Sequence, residues 1–392
     1  MTGLSQLINT GWTGLDAATQ AMETVSNNTA NVNTPGYNVE SLKQVEIPGL
    51  PDGVGVGADV TSIQRAFNQF VFAQMVSAGS ANQAAQVTQT NAQNLAAIFP
   101  IASGGAGGLG AALTGFFTAM NAVGQDPTSL PNRQAFLSDA QALATDFNSV
   151  GGQLASNQAS LNGQMTSSVA TINSLTQQIA TLNQQIMAQS AAGTGSSNAA
   201  MDSRDSLVQQ LGQELGVTVG TGANGAVNIY TTGGAVLVDG GTSANLHASS
   251  GSYGGAALSI VYQPTGQDIT ASLSGGTIGG LISSSGQIAA AQNSAGGIAA
   301  ALAASVNSQQ SLGLDLNGAL GGDLFSVGGP SVLAAANNTG GGTLAAAITD
   351  TNSFAPGNYI VTKTGSGYDA MNTATGQVTA LGGGPSLSLD GM

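Results

Sequence analysis

The chain has 392 residues, of which only 6% are charged, and a formal net charge of −14 from 19 acidic and five basic residues. The bases are scattered along the sequence, which argues against nucleic acid and anionic membrane surfaces as partners, and the lack of cysteine excludes disulfides and thiolate metal sites. With 58 glycines and 4% aromatic residues, the composition favours elongated helices and small β modules over one dense globule.

The first predicted element is an amphipathic helix from Leu4 to Val25. Apolar or small residues recur in it at alternating spacings of four and three, which is an unbroken heptad seam. Such a narrow stripe is typical of a helix that packs against another helix of the same chain or of a neighbour. We therefore predict an assembly seam made of Leu4, Ile8, Gly11, Leu15, Ala18, Met22 and Val25.

A polar block follows the seam and is predicted to end the helix. Ser and Asn compete with the helix for backbone hydrogen bonds, and Pro35-Gly36 is a turn dipeptide. The block resembles the N-terminal signature of the bacterial flagellar axial proteins, which build the rod, the hook and the hook–filament junction. The matching residues are Ser26, Asn27, Asn28, Ala30, Asn31, Asn33, Thr34, Pro35, Gly36 and Tyr37, and the chain departs from the signature at Thr29 and at Asn38-Val39-Glu40.

Residues 43–59 predict an extended connector with a short hairpin. A helical period returns at about Ser62 and predicts a helix that is broken near Gly79 and ended by Pro100. By resemblance, Val60-Thr-Ser-Ile-Gln-Arg65 is the element that precedes this helix in the family. Residues 101–110 predict a glycine loop, and a phosphate-binding role is disfavoured because the loop follows a helix and no Lys-Ser/Thr follows it.

Two further helices are predicted in the next hundred residues. A short one has an apolar face from Leu109 to Val123, and a long one runs from Pro131 to about Gln189. The seam of the long helix shifts by one residue between Asn157 and Met165, as in a coiled-coil stutter, and Gly151-Gly152 predicts a kink or break. The sustained seam favours a rod packed on other long helices over an ordinary bundle helix, and this region resembles the hook-associated protein 1 family.

After a Gly-Ser loop at residues 193–197, a further helix is predicted. Asp202 is expected to cap its N-terminus and Asp205 to lie in its first turn, with Arg204 as a salt-bridge partner. The alternative, a catalytic pair of carboxylates, lacks an evident third partner. By resemblance, Asp202, Arg204 and Asp205 form the Asp-x-Arg-Asp element of the family.

Apolar residues that recur at every second position predict a β-rich insert at about residues 216–282. Its strands are expected around Val217, Val227, Val236, Leu258 and Ile269, with hairpin turns at residues 223–225 and 232–234. The single histidine, His247, lies in this insert without clustered acids. It is predicted to be a surface or loop residue rather than a metal ligand or catalytic base.

Helical periodicity returns from Gln287 to Gln310, and two glycine-bounded elements, at residues 313–318 and 321–325, follow it. Their oxygen ligands have a spacing that would suit calcium, but the set is incomplete and lacks a closing Glu, so neither a metal nor a cofactor is predicted. By resemblance, these elements lead out of the helical domain of the hook-associated protein 1 family and are absent from rod and hook proteins. Their matching residues are Asp315, Asn317, Gly318, Asp323 and Phe325.

The last segment again has a β-like pattern. Strands are predicted at residues 344–348, 358–361 and 377–380 and around Leu387 and Leu389. Members of the family end with C-terminal heptad helices that pair with the N-terminal helix, and the sequence up to Met392 has no such seam. We therefore expect a fragment that lacks these helices, with a partner chain that supplies the matching helix as the alternative.

Together these elements predict an α+β multidomain fold, with long coiled-coil-like helices in the N-terminal half and small β-rich modules in the C-terminal half. Residues 1–40 form the predicted axial helix and Asn-rich turn. Residues 41–326 form a mainly helical domain that contains the β-rich insert. Residues 327–392 form an outer β-rich domain, which we expect to be incomplete.

The resemblance implies a structural protein, not an enzyme, that joins hook to filament by helical self-assembly. The implied partners are the flagellar hook protein, hook-associated protein 3, copies of the chain in a ring and an export chaperone, with no nucleic acid and no membrane insertion. Met1 to Leu15 lacks a basic region and an apolar core, so no signal peptide is expected. The resemblance then implies type III export to an extracellular site at the hook–filament junction. The alternatives are another axial protein, of the hook or distal rod, and a secreted β-domain enzyme or adhesin.

Overall fold

The computed structural model describes residues 2–49, 55–99, 108–192, 197–251, 257–335, 338–339, 341–349, 357–373, 375–384, 386–389 and 391. Within these ranges, helices dominate the N-terminal half and short strands follow, so the predicted α+β class is confirmed. The α-helices are α1 (Thr2–Ala30), α2 (Gln69–Ile98), α3 (Gly108–Gln125), α4 (Leu130–Ala192), α5 (Asn198–Glu214) and α6 (Gly276–Ser311). In this described part of the chain, none of them combines the length and apolar character needed to cross a membrane.

Within the described residues, the strands form four small sheets. β1 (Glu40–Ile47) and β2 (Gly57–Arg65) make an antiparallel hairpin. A four-stranded sheet contains β3 (Val217–Thr221), β4 (Val227–Thr231), β5 (Val236–Asp239) and β6 (Thr242–Ser243). A three-stranded sheet contains β7 (Leu246–Ser250), β8 (Leu258–Tyr262) and β9 (Gln267–Asp268), and a last one contains β10 (Tyr359–Lys363), β11 (Tyr368–Asn372) and β12 (Val378–Leu381).

The chain forms two compact units. Residues 1–87, 164–249 and 259–282 make the first unit, and residues 88–163, 250–258 and 283–392 make the second. Helices α2, α4 and α6 contribute residues to both units. The predicted domain boundaries at residues 40 and 326 stay predictions.

The second unit has an aromatic core centred on the fully buried Phe116 of α3. The rings of Phe136 and Phe325 lie 5.2 Å and 5.7 Å from it, and Leu143 of α4 is buried beside them. Aromatic rings at these separations stabilise each other beyond the area they bury. The predicted family-like residue Phe325 is therefore a structural residue that holds the segment after α6 against α3 and α4.

Helix α4 is continuous over 63 residues, so it has no break at Gly151-Gly152. Val150 and Leu154, before and after the glycines, are buried. Where the predicted seam shifts register, a polar residue, Gln158, is buried, and its amide oxygen accepts a hydrogen bond from the Ser285 hydroxyl at 3.2 Å. A buried amide is tolerated at this position because it has a partner.

Two predicted helix starts are wrong. Helix α2 begins at Gln69, because residues up to Arg65 belong to β2, and it runs past Gly79 without a break. Helix α6 begins at Gly276, well before the predicted Gln287. Its early glycines lowered the helical signal, yet Gly280 is required: a Cβ there would lie 2.7 Å from Val87 Cβ and 2.8 Å from the Ala84 carbonyl oxygen. The glycine allows close helix packing rather than ending the helix.

Most predicted strands of the insert are present, but the strand predicted around Ile269 is not. Residues 270–272 form a 3-10 turn instead of a strand, because Ser272 N and Leu273 N donate back to the carbonyls of Ile269 and Thr270. In the last segment, residues 344–348 and 387–389 have no regular structure, so the strands predicted there are wrong. Pro100, the first part of the predicted glycine loop and most of the Gly-Ser loop lie outside the described residues, and α3 already begins at Gly108.

Two asparagines of α4 fix that helix to strands of the first unit. The Asn183 side chain is fully buried; its amide nitrogen donates to the carbonyls of Val227 and Gly240 at 2.8 and 2.7 Å, and its oxygen accepts from Val227 N. Asn173 makes the same kind of paired contact with both backbone groups of Leu246. Each amide thus substitutes for a neighbouring strand and satisfies backbone groups that burial would otherwise leave unpaired.

Candidate assembly site

The predicted seam lies on α1, and its large side chains face away from the rest of the first unit. Leu4, Ile8, Leu15, Met22 and Val25 are 60–70% exposed. Gly11 and Ala18 are also exposed. Trp12, the single tryptophan of the sequence, is 71% exposed on the edge of the same stripe. A continuous apolar stripe of this kind on a helix indicates an interaction surface.

The opposite face of α1 is small and polar, and it is the face that packs on the β1–β2 hairpin. Ala17 and Thr24 are its buried residues. Each follows a seam residue, Leu15 or Met22, by two positions, which is about 200° around a helix. The Thr10 hydroxyl donates to the Val56 carbonyl at 2.8 Å on this side. The seam is therefore left free because the hairpin occupies the polar face.

Helix α1 does not end where the polar block begins. Ser26 to Ala30 are still helical, so the prediction that Ser and Asn end the helix at Val25 is wrong by one turn and a half. The side chains of this stretch bond within the helix instead of competing with it: Asn31 Nδ2 donates to the Asn27 side-chain oxygen at 2.8 Å, and the Thr29 hydroxyl to the Val25 carbonyl at 2.8 Å.

Asn28 is the centre of the turn that leads from α1 to β1. Its amide nitrogen donates to the Glu40 carbonyl at 2.8 Å, and its oxygen accepts from Glu40 N at 2.9 Å and from the Tyr37 hydroxyl at 2.7 Å. Partial burial, followed by the carboxylates of Glu40 and Asp202, raises the pKa of Tyr37, which keeps the hydroxyl protonated as a donor. Asn28 therefore fixes the direction in which β1 leaves α1.

The remaining signature residues shape the turn itself. Thr34 N donates to the Asn31 carbonyl at 2.9 Å and Tyr37 N to the Thr34 carbonyl at 3.2 Å, which gives two successive tight turns. Gly36 has φ +82°, a conformation that side-chain-bearing residues rarely adopt. Asn33 and Pro35 are exposed in this turn, and no contact of theirs is needed to explain it.

The Asp-x-Arg-Asp element lies on α5 in a buried charge cluster, made of Arg65, Asp202, Arg204 and Asp205. Arg65 Nη1 donates to Asp202 Oδ1 at 2.5 Å and to Asp205 Oδ2 at 2.9 Å, and Arg204 Nη2 to Asp205 Oδ1 at 3.0 Å. The four side chains are only 5–11% exposed. Two guanidinium groups thus balance two carboxylates, which is the condition for burying such charges.

The predicted capping role of Asp202 is wrong. Helix α5 begins at Asn198 after Ser197, so Asp202 and Asp205 lie beyond its first turn. The helix starts early because Asn198 Nδ2 is held by the Glu40 carboxylate at 2.8 Å and the Ile63 carbonyl at 3.1 Å. The predicted link between Arg204 and Asp205 is present, but the main partner of Asp202 is Arg65.

The sequence reasoning missed Arg65, Asn38 and Asn198 as functional partners. Asn38 donates to Asp202 from its backbone N at 3.2 Å and from Nδ2 at 2.7 Å. Two signals could have indicated the cluster: bases are scarce in this acidic chain, and Arg65 ends the family-like element before α2. The scattered bases are thus partly brought together, since Arg65 and Arg204 share Asp205.

The segment after α6 is a tight hairpin-like loop. The Asp315 carboxylate accepts hydrogen bonds from Ala319 N and Asn317 N, both at 2.8 Å, and Gly318 has φ +80°. Asp323 is exposed. Because its acceptor oxygen is committed to the backbone, Asp315 acts as a turn residue. The loop is anchored at its far end by Asn307, whose side chain bonds to Leu324 and Phe325.

We predict that this loop loosens in acid. Hydrogen bonds from Ala319 N, and next from Asn317 N, lower the pKa of Asp315 below its ordinary value of 3.8. The ionised carboxylate is thus favoured in the ordered loop, so the stabilisation is present above about pH 4 and is lost as the pH falls through the lowered pKa. In a pH titration by NMR, the Asn317 and Ala319 amide signals should move together below about pH 4. The same signals in Asp315→Asn should not titrate; a parent midpoint above 4 would contradict the prediction.

No group of three or more acidic or histidine side chains in the described ranges could hold a metal ion. His247 is exposed on β7, as predicted.

A cleft of about 830 Å³ lies between helix α4, helix α5 and the turn that follows α1. Its lining residues are mainly amides and hydroxyls, among them Asn27, Gln177 and Ser203. Its carboxylates, Glu40 and Asp202, are occupied by Asn198 and Arg65. The site is therefore built for contact and orientation.

Comparison with protein families gives two matches. The family model described as the flagellar hook-associated protein FlgK helical domain matches residues 95–325. The model described as flagella basal body rod protein matches residues 8–38, which contain most of the seam and the polar turn. The first match covers more than half of the chain.

Individual relatives agree with these families. The chain is 30% identical to flagellar hook-associated protein 1 of Salmonella typhimurium over 381 residues, which cover 95% of the chain and 68% of that relative. It is 30% identical to flagellar hook-associated protein 1 of Escherichia coli over 365 residues, which cover 91% and 66%. The flagellar hook junction protein FlgK from Burkholderia pseudomallei matches 81% of the chain with a TM-score of 0.71 and 32% identity. The chain spans 57% of that structure.

Proposed function

The chain belongs to the FlgK family of flagellar hook-associated proteins, and from this premise we propose that it is a structural component of the flagellum that joins hook to filament by helical self-assembly. Its relatives are named for the hook and the hook junction. The function proposed for the chain is therefore mechanical: it provides a surface on which other subunits pack.

The observation that carries this proposal is the exposed seam on α1. The helix presents its apolar residues to solvent and its polar residues to its own hairpin, which is the reverse of what a helix packed only for its own fold would do. Burial of such a stripe stabilises association by about 25 cal/mol per Å² of apolar surface. Repeated over many subunits, this favours a helical assembly.

The proposed partners follow from the junction role. They are the flagellar hook protein, hook-associated protein 3, further copies of the chain in a ring, and an export chaperone that protects the protein before type III export. The proposed location is extracellular, at the hook–filament junction. We propose no catalytic role, because the polar cleft of the first unit has its carboxylates occupied by amide and guanidinium groups.

A hook or rod protein is the weaker alternative. The rod-type match is confined to residues 8–38, a region that the axial proteins share. The helical-domain match covers residues 95–325 and includes the loop around Asp315 that ends at Phe325. That long match favours the junction over the rod.

Binding of the purified chain to isolated hooks tests the proposal. Trp12, the single tryptophan, can be replaced biosynthetically by 5-hydroxytryptophan, which is excited apart from the tryptophans of the hook. We expect the chain to sediment with hooks, the anisotropy of this residue to rise, and its quenching by acrylamide to fall as the seam becomes buried. An unrelated protein filament of equal mass is the control. A chain that stays in the supernatant with unchanged quenching would contradict the junction function.

A further inference from the structure

The N-terminal segment, residues 2–65, is attached to the rest of the first unit mainly by polar groups. Neither strand of the β1–β2 hairpin contains a fully buried residue, and α1 buries only Ala17 and Thr24 among its described side chains. Little apolar area is therefore available to decide the direction of this segment. Hydrogen bonds and ion pairs must decide it instead.

Those polar contacts converge on the first two turns or so of α5, from Asn198 to Asp205. Asn38, which precedes β1, donates twice to Asp202, and Arg65, which ends β2, donates to the same carboxylate. One turn earlier, Asn198 bonds to Glu40 of β1 and to Ile63 of β2. Because Glu40 and Arg65 are paired across the hairpin, α5 holds the open end of the hairpin by both strands.

The charges in this contact are balanced, and their side chains are almost fully buried. Asp202 and Asp205 share Arg65, and Arg204 holds Asp205 from its other oxygen while its Nη1 donates to the Gly225 carbonyl at 2.7 Å. Charge-assisted hydrogen bonds of this kind have strict geometry. Loss of one partner leaves a buried charge uncompensated, so the contact either forms as a whole or opens.

We propose that Asp202, acting through Arg65 and Asn38, is a positioning residue that holds α1 in one direction relative to α5, so that the seam is pre-oriented for the next subunit. The positioning of α1 is inferred from the contacts alone; the statement that this position serves assembly with the next subunit rests on the proposed function. The contact between α5 and the hairpin, which we name the polar latch, contains Asn38, Arg65, Asn198, Asp202 and Asp205. Since the latch is polar, its opening frees α1 while the apolar contacts of α4 stay formed.

The latch is tested by a distance measurement on the free chain. The sequence has no cysteine, so Asn9→Cys and Gln210→Cys, both at exposed positions of α1 and α5, give two clean spin-label sites. Pulsed electron–electron double resonance should give one narrow distance peak for the doubly labelled chain that carries no other substitution, which serves as the parent. Asp202→Asn, which exchanges the shared acceptor for an amide, should broaden the peak at least about twofold, because the α1 direction is no longer fixed by paired charges.

Two controls separate positioning from folding. Asp239→Asn removes an exposed carboxylate of the same unit and should leave the peak narrow. Hydrogen exchange at the buried Ile172 and Ile179 of α4 should stay slow in Asp202→Asn. If that protection is lost, Asn38→Ala gives the deciding result. It removes the side-chain hydrogen bond from Asn38 Nδ2 to Asp202 but keeps the backbone N–H donor and leaves the charges paired. A broadened peak then supports the latch, and an unchanged peak overturns it.

Binding to isolated hooks then tests whether the fixed direction of α1 strengthens association. We expect Asp202→Asn to bind hooks about tenfold more weakly than the parent, since ordering α1 is then a cost of association. A narrow peak in folded Asp202→Asn would overturn the latch, whatever the hooks do. Failure of the parent chain to bind hooks would contradict the proposed function and leave the distance result standing, so the two failures are distinguishable.

Discussion

Two lysines on the seam of α1, introduced as Ile8→Lys and Leu15→Lys, are expected to abolish motility in cells whose own copy of the gene is replaced by the variant. Both side chains are exposed in the free chain, so the fold should be unchanged. Their burial in an assembly would stabilise it by about 2 kcal/mol each, and burying a lysine instead adds a desolvation cost. A loss of about 4 kcal/mol already weakens association by about a thousandfold.

The matched control adds the same charge to the same helix. Ser5→Lys and Asn9→Lys introduce two lysines at exposed polar positions on the flank of α1, outside both the seam and the face that packs on the hairpin. Swimming in soft agar and the presence of filaments in electron micrographs are the measurements, with circular dichroism to show that both variants stay folded. Motile cells with the seam variant, or equal defects in both variants, would refute the seam as the assembly surface.

Asn183→Ala is expected to cause the largest loss of stability in the first unit. The substitution removes the amide that serves Val227 N, the Val227 carbonyl and the Gly240 carbonyl, and it leaves three backbone groups at a fully buried position without that partner. Unpaired buried groups cost about 1–3 kcal/mol each, so a total of about 4 kcal/mol is reasonable. For a unit of this size, that lowers the melting temperature by about 10 °C.

Thermal unfolding followed by circular dichroism measures this loss, and hydrogen exchange at the Val227 amide localises it. Gln185→Ala, an exposed amide two residues further along α4, is the control and should change the melting temperature by no more than about 1 °C. If the two variants unfold at the same temperature, the hydrogen bonds of Asn183 do not contribute to the attachment of the sheet to α4.

The local elements of this protein were predictable because each has a strong period. The seam of α1 and the long seam of α4 recur at helical spacing, and both helices are present. The strands around Val217, Val227 and Val236 were predictable from their alternation and turn residues. These signals depend on residues within a few positions of one another, so they are readable without the fold.

Errors arose where a local rule competed with packing. Glycine normally weakens a helix, yet Gly280 lies inside α6 because α2 approaches it too closely for a side chain. Polar residues after Val25 normally end a helix, yet they bond within α1. The aspartates of α5 fit a capping pattern, but Asn198 starts the helix earlier. In each case a tertiary contact or a specific hydrogen bond outweighed the average propensity.

Residue spacing is enough to show that α1 is a helix with an apolar stripe that needs a partner, since it places seven residues on one face. The folded chain is needed to show which face of α1 its own hairpin covers, and hence that the stripe stays exposed. The latch is likewise a tertiary property: Arg65 and Asp202 are 137 positions apart. The spacing of residues along the sequence cannot predict such a pair, because the path of the whole chain decides which distant charges meet. A helical stripe, in contrast, depends only on residues within a few turns of one another.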